Sequence, residues 1–328
     1  MSISLTQANV IYFGKIPSRG DFVRSSSNTQ LIETLDRWLA QAMELLATDP
    51  RWKITYDAAK PFHFVFLGSR SRLVLPGYLV SSSDSSQRRF PFISASAFEI
   101  GDPRAFMARS PLMLSRLWTQ MENLIHTILD APDASGALQA ISQATVELDV
   151  APNAYDANFA DFLKMQTLAS LEALLANAGH ACSVRQAVLA LGLLLQPVLT
   201  NSGANLEKSL RLPLPDDPLY RSLVASFWLD LISGFAARGD FEVGIFVTAN
   251  QGGPALVVSF NGASAKTLQG LMDPAVGLEQ QVSIVNSDWV EGYVEDSHAI
   301  KKLSSYMLQP QLSLYQTGVT FREVFLGA

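Results

Sequence analysis

The sequence predicts an α/β protein of the α+β type, a layered sandwich in which long helices pack on a mostly antiparallel sheet. Apolar residues recur at helical spacing over several long stretches. In the first hundred residues, three β-rich runs are joined by connections too short for the crossover that parallel strands need. The chain has 328 residues, of which 48% are hydrophobic. That content excludes a disordered protein.

The N-terminal elements follow from these periodicities and from turn residues. A strand is predicted from Val10 to Phe13, and a helix from about Thr29 to Thr48, where Asp49-Pro50 ends it. Ser110 and Pro111 have the residue types of an N-cap and a first helical position, so they predict the start of a second long helix. Between the helices, the predicted strands are Phe62–Leu67, Arg72–Val80 and Phe90–Phe98.

Residues 130–137 are the best linker candidate, because they combine Pro, Gly, Asp and Ser. They divide the chain into an N-terminal α/β module at 1–131 and a helical plus β-hairpin module at 132–328, which are also compatible with one compact unit. After residue 150 the sequence is strongly helical. The later predicted elements are helices near 159–175, 184–197, 218–237 and 265–272, a hairpin at 241–249 and 255–260, and one or two strands with a helix that include 289–294 and 319–325.

Charge and composition narrow the class of protein. The net charge of −6 and the lack of a dense basic patch argue against nucleic-acid binding. A single cysteine, Cys182, rules out an internal disulfide and disfavours a zinc site. No N-terminal secretion signal is recognised, and the most apolar stretch, 187–195, is too short to span a bilayer. A cytoplasmic protein that is not embedded in a membrane is therefore expected.

The sequence is organised around the loop that follows the first strand, because this loop concentrates glycine, proline and charged residues. It lacks the spacing of a P-loop and of a Rossmann fingerprint, and Asp21 would repel a phosphate. A structural turn and a partner-binding loop are the other interpretations. A second polar loop, between two predicted strands, shares the partner-binding interpretation. The candidate contact residues are Gly14, Lys15, Pro17, Ser18, Arg19, Gly20, Asp21, Phe22, Ser83, Asp84, Arg88 and Arg89.

No pattern in the sequence requires catalysis, a metal or a cofactor. The four histidines stand at no metal-ligand spacing, and no nucleophile elbow is present. The tetrapeptide Arg-Gly-Asp-Phe at 19–22 recurs at 238–241, but a match of four residues is expected by chance. A non-enzymatic protein without cofactors is the expectation.

Three elements in order resemble the TagF family, also called ImpM or SciT, of type VI secretion system accessory proteins. The loop at 13–23 is similar to the family's N-terminal signature, and residues 36–39, Asp-Arg-Trp-Leu, are similar to its next helix. Ser82-Ser83-Asp84 with residues 89–92, Arg-Phe-Pro-Phe, resembles the third element, although the family commonly has Gly where Gln87 or Arg88 stands. A weaker likeness lies at residues 226–228, Ser-Phe-Trp.

The resemblance implies a cytoplasmic, non-enzymatic protein that acts after translation on assembly of the secretion system. In the family this action is typically repression through a scaffold protein with a forkhead-associated domain, so that scaffold is the expected partner. Two alternatives stay open. One is a phosphate- or nucleotide-ligand-binding protein or enzyme that uses the loop from Gly14 to Phe22. The other is a structural subunit associated with the secretion baseplate.

Overall fold

The computed structural model describes residues 5–200, 206–249 and 252–327. Its strands form a large sheet in the order β12-β9-β11-β10-β4-β5-β6-β2-β3, with β7 beside β5, and a separate pair of β1 with β8. The strands are β1 Leu5–Asn9, β2 Ile11–Gly14, β3 Val23–Arg24, β4 Phe62–Gly68, β5 Leu73–Val80, β6 Phe92–Ala95, β7 Phe98–Glu99, β8 Thr145–Asp149, β9 Ser209–Pro213, β10 Glu242–Thr248, β11 Ala255–Ser259 and β12 Gln281–Ser283.

Helices cover both faces of the large sheet. They are α1 Thr29–Leu46, α2 Trp52–Ala58, α3 Pro103–Met113, α4 Ser115–Asp130, α5 Ser135–Gln143, α6 Asp156–Met165, α7 Leu168–Asn177, α8 Val184–Thr200, α9 Pro218–Ala236, α10 Ala265–Met272, α11 Pro274–Gln280, α12 Val290–Asp296, α13 His298–Tyr306 and α14 Leu314–Leu326. Among the described residues, no helix combines the length and apolar character needed to cross a membrane.

The alternation of side chains along the sheet separates two apolar cores. In β4, Phe62 and Phe64 belong to the core beneath α1, α2 and α10, while Val65 and Leu67 belong to the larger core beneath α4, α8 and α9. Successive strand residues point to opposite faces, so one buried strand can serve both cores. Pairing is antiparallel throughout the large sheet except between β12 and β9. The predicted layered, mostly antiparallel α/β fold is confirmed.

The sheet includes strands from both sides of residue 131. β4 pairs with β10 over seven residues, from Phe62 opposite Thr248 to Gly68 opposite Glu242. Between α4 and α5 the connection is four residues long, and its Ala134 is completely buried. Strands from the two sides of residue 131 thus share one sheet. The division into two modules at 131 stays a prediction.

The predicted helix start at Ser110 and Pro111 is wrong. Both residues lie in the last turn of α3, which the Asp102 side chain caps by accepting the N–H groups of Arg104 and Ala105, and the second long helix, α4, begins at Ser115. Pro111 therefore lies inside α3 and has no N–H for the carbonyl of Met107. The Ser110 hydroxyl donates to that carbonyl at 3.1 Å instead, which explains how the helix tolerates a proline.

The sequence predicts one or two strands and a helix around 289–294 and 319–325, and the strands are wrong, because residues 290–294 and 319–325 are both helical. A reciprocal capping box between Ser313 and Gln316 starts α14, and Gly327 at φ 66° ends it. These cap signals outweigh the β-branched and aromatic content of the segment. The predicted strand at 90–98 is divided into β6 and β7. In the predicted hairpin loop, Asn250 and Gln251 lie outside the described residues.

Candidate functional site

The loop after β2 begins at a position that requires glycine. Gly14 has φ 133°, and a Cβ atom there would lie 2.0 Å from the carbonyl oxygen of Pro91. No other residue fits so close to a neighbouring backbone. Gly14 also pairs with Phe92 on one side and with Val23 on the other. Gly14 therefore sets the backbone path by which the chain leaves the sheet interior, and it offers no side chain to a ligand or partner.

A buried carboxylate organises the second loop. Asp84 is completely buried, and its Oδ1 accepts the N–H groups of Ser86 and Arg88 at 3.0 and 2.9 Å. Its Oδ2 lies 2.7 Å from Nε of Arg88 and 3.0 Å from Nζ of Lys15. Burial opposes ionisation of Asp84, but these four donors outweigh it and hold the pKa of the carboxyl well below its usual range. The charged form of Asp84 thus ties the two loops together.

Two backbone carbonyls of the first loop add to this connection. The N–H of Ser85 donates to the carbonyl of Arg19 at 2.8 Å, and the Arg88 guanidinium donates to the carbonyl of Gly20 at 2.5 Å. We call this set of contacts, together with the pair of Lys15 and Asp84, the clasp. The clasp places residues 17–22 and 83–89 on one continuous surface.

Other arginines anchor this surface to neighbouring helices. Arg19 donates to Asp133 at 2.8 Å and to the Ser135 hydroxyl at 2.6 Å, beside the start of α5. Donors on Ser135 and Arg19 lower the pKa of Asp133 to about 2. Arg89 makes a two-point contact with Asp57 of α2, with N–O distances of 2.7 and 2.6 Å. Helices on opposite faces of the sheet therefore hold the two loops.

An aromatic cluster lies at the edge of the clasp. The ring of Phe22 stacks on Phe13 with centroids 5.5 Å apart and meets the edge of Phe90 at 4.9 Å. The Nζ atom of Lys15 lies 5.0 Å from the centroid of Phe22. Phe22 nevertheless remains 42% exposed. An apolar ring held on one face and open on the other is well suited to contact a partner.

The twelve predicted contact residues therefore divide by exposure. Gly14, Lys15 and Asp84 are buried, and Lys15 and Asp84 belong to the clasp. Ser18, Arg19, Ser83 and Arg89 are partly exposed. Pro17, Gly20, Asp21, Phe22 and Arg88 are exposed and form what we call the rim. Sequence reasoning treated all twelve as displayed, whereas the buried three act by positioning the rim.

Residues 11–144 match the family model for the TagF N-terminal domain, described as type VI secretion system-associated. The match ends before the middle of the chain and contains the clasp and the rim. A comparison with curated proteins gives no match.

Among solved structures, the chain is similar to PA0076 from Pseudomonas aeruginosa PAO1. The identity is 24% and the TM-score 0.35, over 41% of this chain and 62% of that one. The chain thus spans less than two thirds of the length of this relative.

Each of four cations at this site faces a carboxylate. Lys15 and Arg88 face Asp84, Arg19 faces Asp133, and Arg89 faces Asp57. A phosphate ligand would have to displace these carboxylates, at the cost of leaving Asp84 buried beside a second anion. Within the described residues, no group of three His, Cys, Asp or Glu side chains could hold a metal. The arrangement favours contact with a macromolecule over anion binding.

Sequence reasoning missed several residues that shape this site. Asp57, Asp133 and Ser135 anchor the two loops, and Phe13 and Phe90 support Phe22. The aromatic pair lies next to motif residues and could have been chosen from its position. The three polar anchors come from distant parts of the chain, and no local pattern distinguishes them from other surface residues.

Proposed function

We propose that this chain is a cytoplasmic, non-enzymatic accessory protein of the bacterial type VI secretion system that acts after translation by binding other proteins. Its action is repression of assembly through a scaffold protein with a forkhead-associated domain, and the rim is the contact surface. The observation that carries the proposal is the clasp, which joins two distant loops into one preorganised surface within a type VI secretion-associated domain. The scaffold as partner and the repressive sign rest on the family resemblance.

Preorganisation is the physical reason for choosing the rim. A loop already held in its bound conformation loses less entropy on association. Phe22 and Asp21 stand side by side at the exposed end of the loop, and the N–H of Phe22 donates to the Asp21 carboxylate at 2.8 Å. An exposed aromatic ring next to a carboxylate supplies an apolar anchor and a charge in one small area, the combination that dominates many interfaces.

The direct test is calorimetric titration of the purified chain with the purified scaffold. Phe22→Ala and Asp21→Ala should each weaken binding by about 10-fold or more, the range of interface hot spots. Asp240→Ala is the matched control, because Asp240 stands in the second Arg-Gly-Asp-Phe and its side chain is also exposed. Affinity unchanged in both rim variants would contradict the rim as the contact surface.

The regulatory sign needs a cellular readout. Deletion of the gene should raise secretion if the chain represses assembly, and Phe22→Ala at normal protein levels should have the same effect. Lower secretion after deletion would favour a structural role in the baseplate. Titration with nucleotides and phosphorylated sugars separates the remaining alternative, since saturable binding that Lys15→Ala abolishes would indicate a ligand site.

A further inference from the structure

A second surface lies outside the residues matched by the family model. The C-terminal half of α8 faces the turn before α12 and the start of α13, and between them is an open groove of about 590 Å³. Leu193, Leu194 and Pro197 line one side. Trp289 and Tyr293 line the other. The wall side chains are mainly apolar, and Ile300, which is 7% exposed, also lines the groove.

The two aromatic residues of the groove are held in place yet open to solvent. Trp289 and Tyr293 meet edge to face with centroids 5.7 Å apart and an interplanar angle of 87°. Trp289 is 41% exposed and Tyr293 is 53% exposed. Two large aromatic side chains held together at the surface, beside an apolar groove, are typical of protein-binding sites.

The segment that forms one wall of the groove carries charge of one sign. Between residues 286 and 297 the sequence has four carboxylates and no Lys, Arg or His. Glu291 is engaged by Arg185 and Gln186. Asp288, Glu295 and Asp296 are exposed, and within the described part of the chain none has a cation within 4.0 Å. Asp296 itself lines the groove.

Basic residues follow on α13 but do not neutralise the groove. Lys301 and Lys302 lie in the middle of that helix, and Lys302 lines a different groove, between α13 and α14. Among the side chains that line the groove of α8 and α12, the one charged at neutral pH is the carboxylate of Asp296, and Asp288 and Glu295 lie near it in the sequence. A cationic partner is favoured by this field, and an acidic one is repelled.

We propose that this groove binds a basic amphipathic segment of a partner protein. An apolar side chain of the segment enters between Trp289 and Pro197, and its Lys or Arg residues reach Asp296, Glu295 and Asp288. Charge complementarity selects this occupant, because an uncharged apolar segment gains nothing from the three carboxylates. The proposal is independent of the rim, which lies in the TagF N-terminal domain, so either surface can fail without affecting the other.

The test uses two labelled helical peptides, one built from leucine and lysine and one with glutamate in place of every lysine. Fluorescence anisotropy with the full chain should show saturable binding of the lysine peptide and none of the glutamate peptide. Trp289→Ala should weaken binding by about 10-fold or more, as for an aromatic hot spot. Tyr293→Ala gives a second, independent variant, and thermal melts establish that both variants are folded.

The charge contribution is tested separately with Glu295→Gln combined with Asp296→Asn. This variant should bind the lysine peptide several-fold more weakly and show a smaller dependence on salt. The matched control is Glu33→Gln combined with Glu44→Gln, which removes two exposed carboxylates from α1 and should bind as the unmodified chain does. Equal binding of both peptides, an unchanged Trp289→Ala variant, or an equal loss in the α1 control would overturn the proposal. A dimer in sedimentation velocity that Trp289→Ala dissociates would also overturn it, since the occupant would then be a second copy.

Discussion

The tetrapeptide Arg-Gly-Asp-Phe occurs at 19–22 and at 238–241, and the two copies have opposite environments. In the first copy the phenylalanine is 42% exposed and the glycine is open, with a Cβ position 3.5 Å from the Ser85 hydroxyl. In the second copy Phe241 is 8% exposed and packs edge to face on Phe260 at 5.7 Å. A Cβ on Gly239 would lie 2.1 Å from the ring of Phe241.

The restraints on the two copies also differ in kind. Charged groups hold the first, through Asp84, Lys15 and Arg88. In the second, Ser69 donates from its hydroxyl to the Gly239 carbonyl and from its N–H to the Phe241 carbonyl, and its hydroxyl accepts the N–H of Phe241. The charged residues of this copy make no buried ion pair: Arg238 donates to the Leu326 carbonyl, and Asp240 lies 3.9 Å from Arg70 at the exposed surface. The comparison teaches that four identical residues can form an exposed loop or pack against the core, depending on the residues that surround them.

The largest expected difference between the copies is in the phenylalanines. Phe241→Ala should lower the free energy of unfolding by about 3 kcal/mol, because it leaves a cavity in the core. Phe22→Ala should cost about 1 kcal/mol, the contribution of its contacts with Phe13 and Phe90. Urea unfolding of both variants measures the contrast. Equal losses would show that Phe22 is a core residue and would weaken its assignment to the rim.

The glycines give a smaller contrast. Gly239→Ala should destabilise the fold by about 1–3 kcal/mol, since the new methyl group meets the ring of Phe241 and Phe260 limits its movement. Gly20→Ala should change the free energy of unfolding by less than about 0.5 kcal/mol, as for a surface position. The same unfolding experiment checks both variants. A destabilised Gly20→Ala would mean that the clasp leaves less room than the structure shows.

The fold could be predicted from sequence where the signal is local. Apolar spacing and cap residues located α1, α9 and α10 closely, and Asp217 caps α9 as its position before Pro218 predicts. Strand order could not be predicted, because the pairing of β4 with β10 joins residues about 180 positions apart in the chain. The helix start predicted at Ser110 was wrong for another reason. The Ser110 hydroxyl donates to the Met107 carbonyl within α3, and the residue types alone do not distinguish this bond from an N-cap.

The candidate site could be predicted only in part, for the same reason. The glycines, proline and charges of residues 14–22 indicate an unusual loop, and the polar residues of 83–89 indicate a second. Lys15 and Asp84 become buried because the two loops pack against each other. The sequence of either loop alone therefore does not predict their burial. The tetrapeptide comparison makes the point directly, since identical local sequence leads to exposed Phe22 and buried Phe241.

The charged restraint predicts that the first copy is sensitive to acid and the second is not. The pKa of Asp84 is depressed in the folded chain, so its contribution to stability is fully present above the unfolded value of about 4 and declines progressively as the pH falls from there through the lower folded value. Amide hydrogen exchange, corrected for its intrinsic pH dependence, should show faster opening at residues 19–22 as the pH is lowered toward 3. Residues 238–241 should keep their protection over the same range. Asp84→Asn should open residues 19–22 already at neutral pH, and unchanged protection there would contradict the role of the clasp.

The smallest expected effect concerns Gln87, which has φ 61° in the turn that carries Asp84. A residue with a Cβ is disfavoured in this left-handed region by about 1 kcal/mol, whereas glycine adopts it freely. The greater entropy of glycine in the unfolded chain offsets part of this gain, so Gln87→Gly should stabilise the fold by about 0.5 kcal/mol. The urea midpoint should rise with an unchanged slope, and Gln87→Ala, which retains the Cβ, should show no gain.

Hydrogen exchange separates the role of the turn backbone from that of the Gln87 side chain. If Gln87→Gly also preserves the protection of residues 19–22, the turn backbone is sufficient to hold the first tetrapeptide and the Gln87 side chain is not needed. A fall in stability would instead show that the Gln87 side chain contributes contacts to the clasp.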